Sequence, residues 1–212
     1  MGSILESKIV KKIANIPFVW NLAQNIIGAN QWKAWMYPSV FEKKEGTLLD
    51  FGCSSGNETA AFLDFDYYGV DIDPNVIKSA QSKFQGNPNV KFFALDIIKD
   101  GFKKDFFDYV LFAGTGHHLT DDELRKILDV LMENLKSGGQ LHFFDLISQP
   151  GKDGWMTRSI IQMDQGNFPR TQDTYKEFFD QKKFSILKWE IFPNPYQFVK
   201  FPDFLHVSIQ KK

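Results

Sequence analysis

The sequence predicts one α/β domain in three layers, a seven-stranded, mostly parallel sheet between helices, preceded by an N-terminal helical extension. Three observations predict it. Short β-type runs alternate with helical stretches through the middle of the chain, the pattern that builds a parallel sheet covered on both faces. The run Phe107–Ala113 is too apolar to face water on either side. Three early runs each end at an acidic residue, Asp50, Asp71 and Asp96, so their carboxylates share one rim of the sheet.

The elements follow in order. The forty N-terminal residues carry Phe18, Trp20, Leu22, Ile26, Ile27, Trp32, Trp35, Met36 and Tyr37 at helix-compatible spacings, which predicts two or three amphipathic helices. A first strand reads Thr47 to Gly52, and Ser55 with Glu58 has the form of a capping box for a helix over 57–63. A second strand, Tyr67 to Asp71, precedes a helix capped by Asp73 with Pro74 at its first position, where a missing N–H costs nothing. Strands over Val90–Leu95 and Phe107–Ala113 follow. Thr120 and Glu123 form a capping box for a helix whose Leu124, Ile127, Leu128, Leu131 and Leu135 keep a helical period up to Gly138-Gly139. A fifth strand spans Gln140–Leu146, then helices near 157–163 and 171–180, and strands over Phe184–Phe192 and Phe204–Gln210. The 212 residues fit a single domain. Within it, residues 1–44 form a lid or flank, 45–146 a ligand-binding core, and 147–212 a substrate-side insertion with the closing strands.

Composition narrows the function. With 43% hydrophobic and 24% charged residues the chain reads as a soluble globular protein, and no apolar run is long enough to span a bilayer. A net charge of −1 leaves no field to neutralise a phosphate backbone, so neither nucleic acid nor membrane is an expected partner. Cys53 is the single cysteine, which excludes an intrachain disulfide, and it stands in no metal-ligand spacing. With no secretion signal near Met1, a cytoplasmic, metal-free protein is expected.

The informative stretch is Asp50-Phe51-Gly52-Cys53-Ser54-Ser55-Gly56, at the first strand-to-helix turn. Gly52 and Gly56 let backbone approach a ligand without a Cβ in the way. Together with Asp71 and Asp96, three carboxylates at one rim suit a ligand bearing hydroxyls, an amine and positive charge.

Over residues 45–146 the chain resembles the class I, Rossmann-like S-adenosylmethionine-dependent methyltransferases of small-molecule type, whose first motif is an acid followed by a Gly-x-Gly-x-Gly turn. The resemblance implies that Asp50 and the turn Gly52, Cys53, Ser54 and Gly56 hold the methionine part of S-adenosylmethionine. Asp71, with Ile72 beside it, would take the ribose hydroxyls. Asp96 and the Ile97 backbone would take the adenine, and Ala113 with Gly114 would line the methionyl end. S-adenosylhomocysteine would be the product. The family's central glycine is Ser54 here, which demands a backbone conformation compatible with a Cβ.

Methyl transfer is an in-line displacement in which alignment comes first, and a protic acceptor also needs a base. Gly116-His117-His118-Leu119 follows the fourth strand and resembles the family's His-His-Leu segment, making His117 and His118 the candidate bases. Trp32, Tyr37 and Trp155, with Trp35, are candidates to stack on a planar acceptor or face the sulfonium. Arg158 and Arg170 are candidates to clamp an acidic one, or else fold-closing ion pairs.

Two other readings compete with a small-molecule methyltransferase. A nicotinamide-dependent oxidoreductase would use Asp71, 19 positions after Gly52, but its G-x-G-x-x-G spacing is missing. The second is a catalytically silent module that keeps the fold and serves as a binding or regulatory partner.

Overall fold

In the computed structural model, residues 29–163, 166–179, 184–195 and 201–212 are described. The elements are α1 (Ala29–Ser39), β1 (Thr47–Phe51), a 3₁₀ turn (Thr59–Phe62), β2 (Asp66–Asp71), α2 (Pro74–Lys83), β3 (Val90–Ala94), α3 (Ile97–Asp100) and β4 (Phe107–Ala113). A second 3₁₀ turn (Gly116–His118) leads to α4 (Asp121–Asn134), β5 (Leu135–Leu146), α5 (Trp155–Met163), α6 (Gln172–Lys176), β6 (Ser185–Phe192) and β7 (Phe204–Gln210). The expected residues Phe18, Trp20, Leu22, Ile26 and Ile27 lie outside the described residues.

The seven strands form one sheet in the order β3-β2-β1-β4-β5-β7-β6. Strands β1 to β5 pair in parallel, while β7 runs antiparallel to both β5 and β6. The order reverses between β1 and β4, and the crevice beyond the carboxyl ends of strands at such a reversal is where open α/β sheets take ligands.

Strand alternation sorts the core into two layers. Leu49, Val110, Phe112, Leu141, Phe143, Leu205, Val207 and Ile209 pack with Ile97 of α3, the Leu124–Leu131 face of α4 and Tyr175 of α6. Leu48, Leu111, Phe144, Leu146 and Phe204 pack on the other face with Trp32, Met36 and Tyr37 of α1 and with Ile77 and Ala80 of α2. The expected helix signals appear as read: Asp73 accepts from Asn75 N at 2.8 Å, and Thr120 with Glu123 forms a reciprocal capping box.

Four elements have a boundary two or more residues from the sequence reading. The helix expected over 57–63 is only a four-residue 3₁₀ turn without a side-chain cap, because Ser55 bonds Asn57 and Thr59 is drawn to Tyr67 of β2. β5 begins at Leu135 rather than Gln140: the chain pairs with β4 as soon as α4 ends, with an irregularity opposite Phe107 to Tyr109. α5 begins two residues early, at Trp155. α6 ends at Lys176, after which successive turns carry Phe178 and Phe179 into the core. None of the helices among the described residues is long and apolar enough to cross a membrane.

Candidate active site

The carboxyl ends of β1 and β4 meet at the reversal point. Gly52 and Cys53 both donate backbone N–H bonds to Val70 O, at 2.8 and 3.2 Å, and Gly56 N closes the turn on Cys53 O at 2.9 Å. Gly52 has φ +77°, and a Cβ there would come within 2.3 Å of Thr115 Oγ1 in the loop after β4. Ser54 adopts φ +48°, the small left-handed region that tolerates a Cβ at some cost, so serine keeps the shape that glycine would give.

Asp71, at the end of β2, holds this turn. Its Oδ2 accepts from Ser54 N at 3.0 Å and its Oδ1 from Asp73 N at 3.0 Å. A carboxylate offers about four lone-pair sites, so each oxygen keeps one toward the rim.

Asp50 is buried, and its Oδ2 accepts from the Tyr67 hydroxyl at 2.5 Å, which itself accepts from Thr59 Oγ1 at 3.0 Å. Burial, with Glu58 and Asp71 adding repulsion against the Tyr67 bond, raises its pKa from 3.8 to about 7. Cys53 packs into the core beside the position a Gly69 Cβ would take, and burial pushes its thiol well up, so it stays protonated.

Asp96 caps α3: Oδ1 accepts from Ile98 N at 3.1 Å and Lys99 Nζ lies 2.8 Å from Oδ2. Ile72 is 68% exposed after β2, and Ile98 is 39% exposed on the adjacent turn. Ile97, by contrast, is buried among the α4 contacts and presents only backbone. Ile98 escaped the sequence reading, because only the rotation of α3 separates it from its neighbour. Ala113 and Gly114 complete the rim at the end of β4, where Gly114 N donates to Phe144 O at 2.8 Å.

The two candidate bases occupy different environments. His117 is buried under Gly166, and its Nδ1 lies 2.5 Å from Asp145 Oδ1. A carboxylate only accepts, so Nδ1 carries a proton and donates it to Asp145. Asp145 also accepts from Leu146 N at 2.9 Å and from the Tyr175 hydroxyl at 2.6 Å. His118 is exposed, with its ring 4.3 Å from that of His117. Asp145 and Tyr175 were missed by sequence reasoning; the available signal was an acid near the carboxyl end of a buried strand, the placement that drew attention to Asp50.

Among the acceptor candidates, Arg170 is buried and donates to Gly116 O, Leu119 O and Phe168 O as well as to Asp121. Of its two readings, these partners give the fold-closing one rather than a clamp. Trp32 is buried edge-on against Phe204, with ring centroids 5.5 Å apart, which makes it core rather than a stacking surface. Trp155 is 72% exposed at the start of α5, and Arg158 is exposed with Nη1 on Asp153 O at 2.7 Å. Tyr37 is 3% exposed, and its hydroxyl lies 3.7 Å from where a Gly114 Cβ would sit.

Residues 48–139 match the family model described as a methyltransferase domain. Phosphoethanolamine N-methyltransferase of Plasmodium falciparum is 25% identical over 145 residues, 68% of this chain and 47% of that protein. The chain thus spans about half the length of this relative. A S-adenosylmethionine-dependent methyltransferase from Methanosarcina mazei superposes with TM-score 0.67 at 16% identity, covering 83% of this chain and 98% of its own. The N-methyltransferase NodS from Bradyrhizobium japonicum WM9 gives TM-score 0.60 at 16% identity, over 79% and 86%. At these identities the structures establish a shared fold.

Proposed function

We propose that this chain, whose residues 48–139 match a methyltransferase-domain model and whose sheet has the class I, Rossmann-like fold, is an S-adenosylmethionine-dependent methyltransferase that methylates a small molecule. The domain match supports the methyl donor and the sheet supplies the fold; the acceptor class is the further step.

The Asp71 carboxylate carries the assignment of the donor site. It is fixed by two backbone N–H groups and keeps two lone pairs at the rim, the complement of a vicinal diol. Ile72 and Ile98 supply apolar walls for a purine, and Asp96 an acceptor for its amino group. The buried Asp50 and the Gly52–Gly56 turn would hold the ammonium and carboxylate of the methionine moiety. S-adenosylmethionine, when bound there, supplies an activated methyl group, and the protein's task is alignment. The exposed His118 would take a proton from a protic acceptor, and Trp155 and Arg158 would border that acceptor.

A small acceptor is favoured by the net charge of −1 and by the named substrate of the Plasmodium falciparum relative. Calorimetry tests the donor site. The expected result is S-adenosylmethionine binding that Asp71→Ala weakens at least tenfold; equal affinity in that variant would refute the assignment, and no binding by the native chain would favour a silent module. Transfer of labelled methyl into a low-molecular-weight extract fraction, rather than into protein or RNA, tests the acceptor class.

A further inference from the structure

We propose that the Tyr37 hydroxyl of α1 is the group that reads positive charge at the reacting end of the donor, so that the site distinguishes sulfonium from thioether. The proposal rests on the donor site described above.

Three tyrosines are deeply buried near the strand ends, and two have hydroxyl partners: Tyr67 donates to Asp50 and Tyr175 to Asp145. Tyr37 is the exception. Its ring is held against Phe144 at 4.9 Å and Phe204 at 6.4 Å, yet its hydroxyl makes no hydrogen bond among the described residues. A phenol hydroxyl without a protein partner keeps its proton and its lone pairs for a molecule bound beside it. The hydroxyl lies by Gly114, whose φ of +62° and missing Cβ leave space at the end of β4. That space is where a partner from outside the chain would meet the hydroxyl.

The surroundings select the partner's charge. Glu58, Asp145 and Asp50 lie near enough to Tyr37 that their charges add to burial in holding the phenol proton on. A neutral hydroxyl with free lone pairs, in a field set by carboxylates, favours a cation. During transfer the sulfur–methyl bond breaks with its electron pair staying on sulfur, and the methyl forms its new bond to the acceptor's lone pair. The positive charge thereby leaves the donor, and the attraction at Tyr37 goes with it. The hydroxyl would hold the donor and release the product.

The same chemistry would suit an amine on the acceptor, so the test omits any acceptor. Calorimetry on native protein and Tyr37→Phe would compare S-adenosylmethionine, its amine analogue sinefungin, and S-adenosylhomocysteine. The expected result is about a tenfold loss for the two cationic ligands, with S-adenosylhomocysteine within twofold. The apo melting temperature should be unchanged or higher, since no protein contact is removed. Equal losses for all three ligands, no loss for any, or a lowered apo melting temperature would overturn the proposal. Failure of the native protein to bind any of the three would instead overturn the donor site itself.

Discussion

Asp145 binds two partners from different elements at once: His117 Nδ1 lies 2.5 Å from one carboxylate oxygen and the Tyr175 hydroxyl 2.6 Å from the other. The carboxylate is fully buried, so its hydrogen bonds have no solvent to replace them. Asp145→Asn keeps the volume but puts an amide where two acceptors are needed. It should lower stability by about 2–3 kcal/mol in urea denaturation. It should also replace the charged acceptor at His117 Nδ1 by a weaker neutral one, which nitrogen NMR of the imidazole would reveal; an unaltered Nδ1–H signal would contradict this account.

Asp50 gives the apo protein a pH dependence of definite sign. Its pKa is raised mainly by burial, from 3.8 to about 7, so the folded state binds this proton more tightly than the unfolded chain. The resulting stability is full below about pH 4 and is lost as pH rises through about 7. Melting temperatures of native protein and Asp50→Asn, measured from pH 5 to 8, should show the native chain losing stability relative to the variant from pH 5 to about 7, with the difference levelling off above that. Affinity for the donor's ammonium should move the opposite way, rising with pH as the carboxylate ionises.

Arg170 closes the fold around the histidine turn. Removing its guanidinium leaves Gly116, Leu119 and Phe168 carbonyls short of donors, and Arg170→Met should cost about 3 kcal/mol. Arg158 bonds a single carbonyl from an exposed position, and Arg158→Ala should change stability by about 0.5 kcal/mol or less. Parallel denaturant titrations would rank them.

At the first turn, Ser54→Gly relieves a left-handed residue and should be neutral or stabilising by up to about 1 kcal/mol. Gly52→Ala should destabilise by about 2 kcal/mol or more, combining a positive φ with a contact onto Thr115. Thermal denaturation of the two variants should shift in opposite directions or, at the least, differ by that amount.

The fold was legible where one signal acted alone. Apolar alternation placed the strands, and Thr120–Glu123 and Asp73-Pro74 placed two helix starts, because these interactions are local. The Ser55–Glu58 pair carries the same local signature and forms no cap, since Thr59 and Tyr67 are joined across the sheet. Much the same limit governed the site. Asp50, Asp71 and the glycines could be read from motif spacing, whereas the joining of His117 to Asp145 and Tyr175 depends on which strands become neighbours. The burial of His117 depends on Gly166 closing over its ring. Arg170 looked available in sequence because its carbonyl partners, like all carbonyls, leave no trace in residue identity.

The placement of β7 between β5 and β6 has a consequence for biosynthesis. β6 leaves the ribosome before the strand that joins it to the sheet, so during synthesis both it and the open side of β5 present unpaired backbone. Seven late residues, Phe204–Gln210, close both edges together. Nascent chains stalled ahead of this segment should recruit chaperones that bind extended strands, and those stalled well beyond it should not.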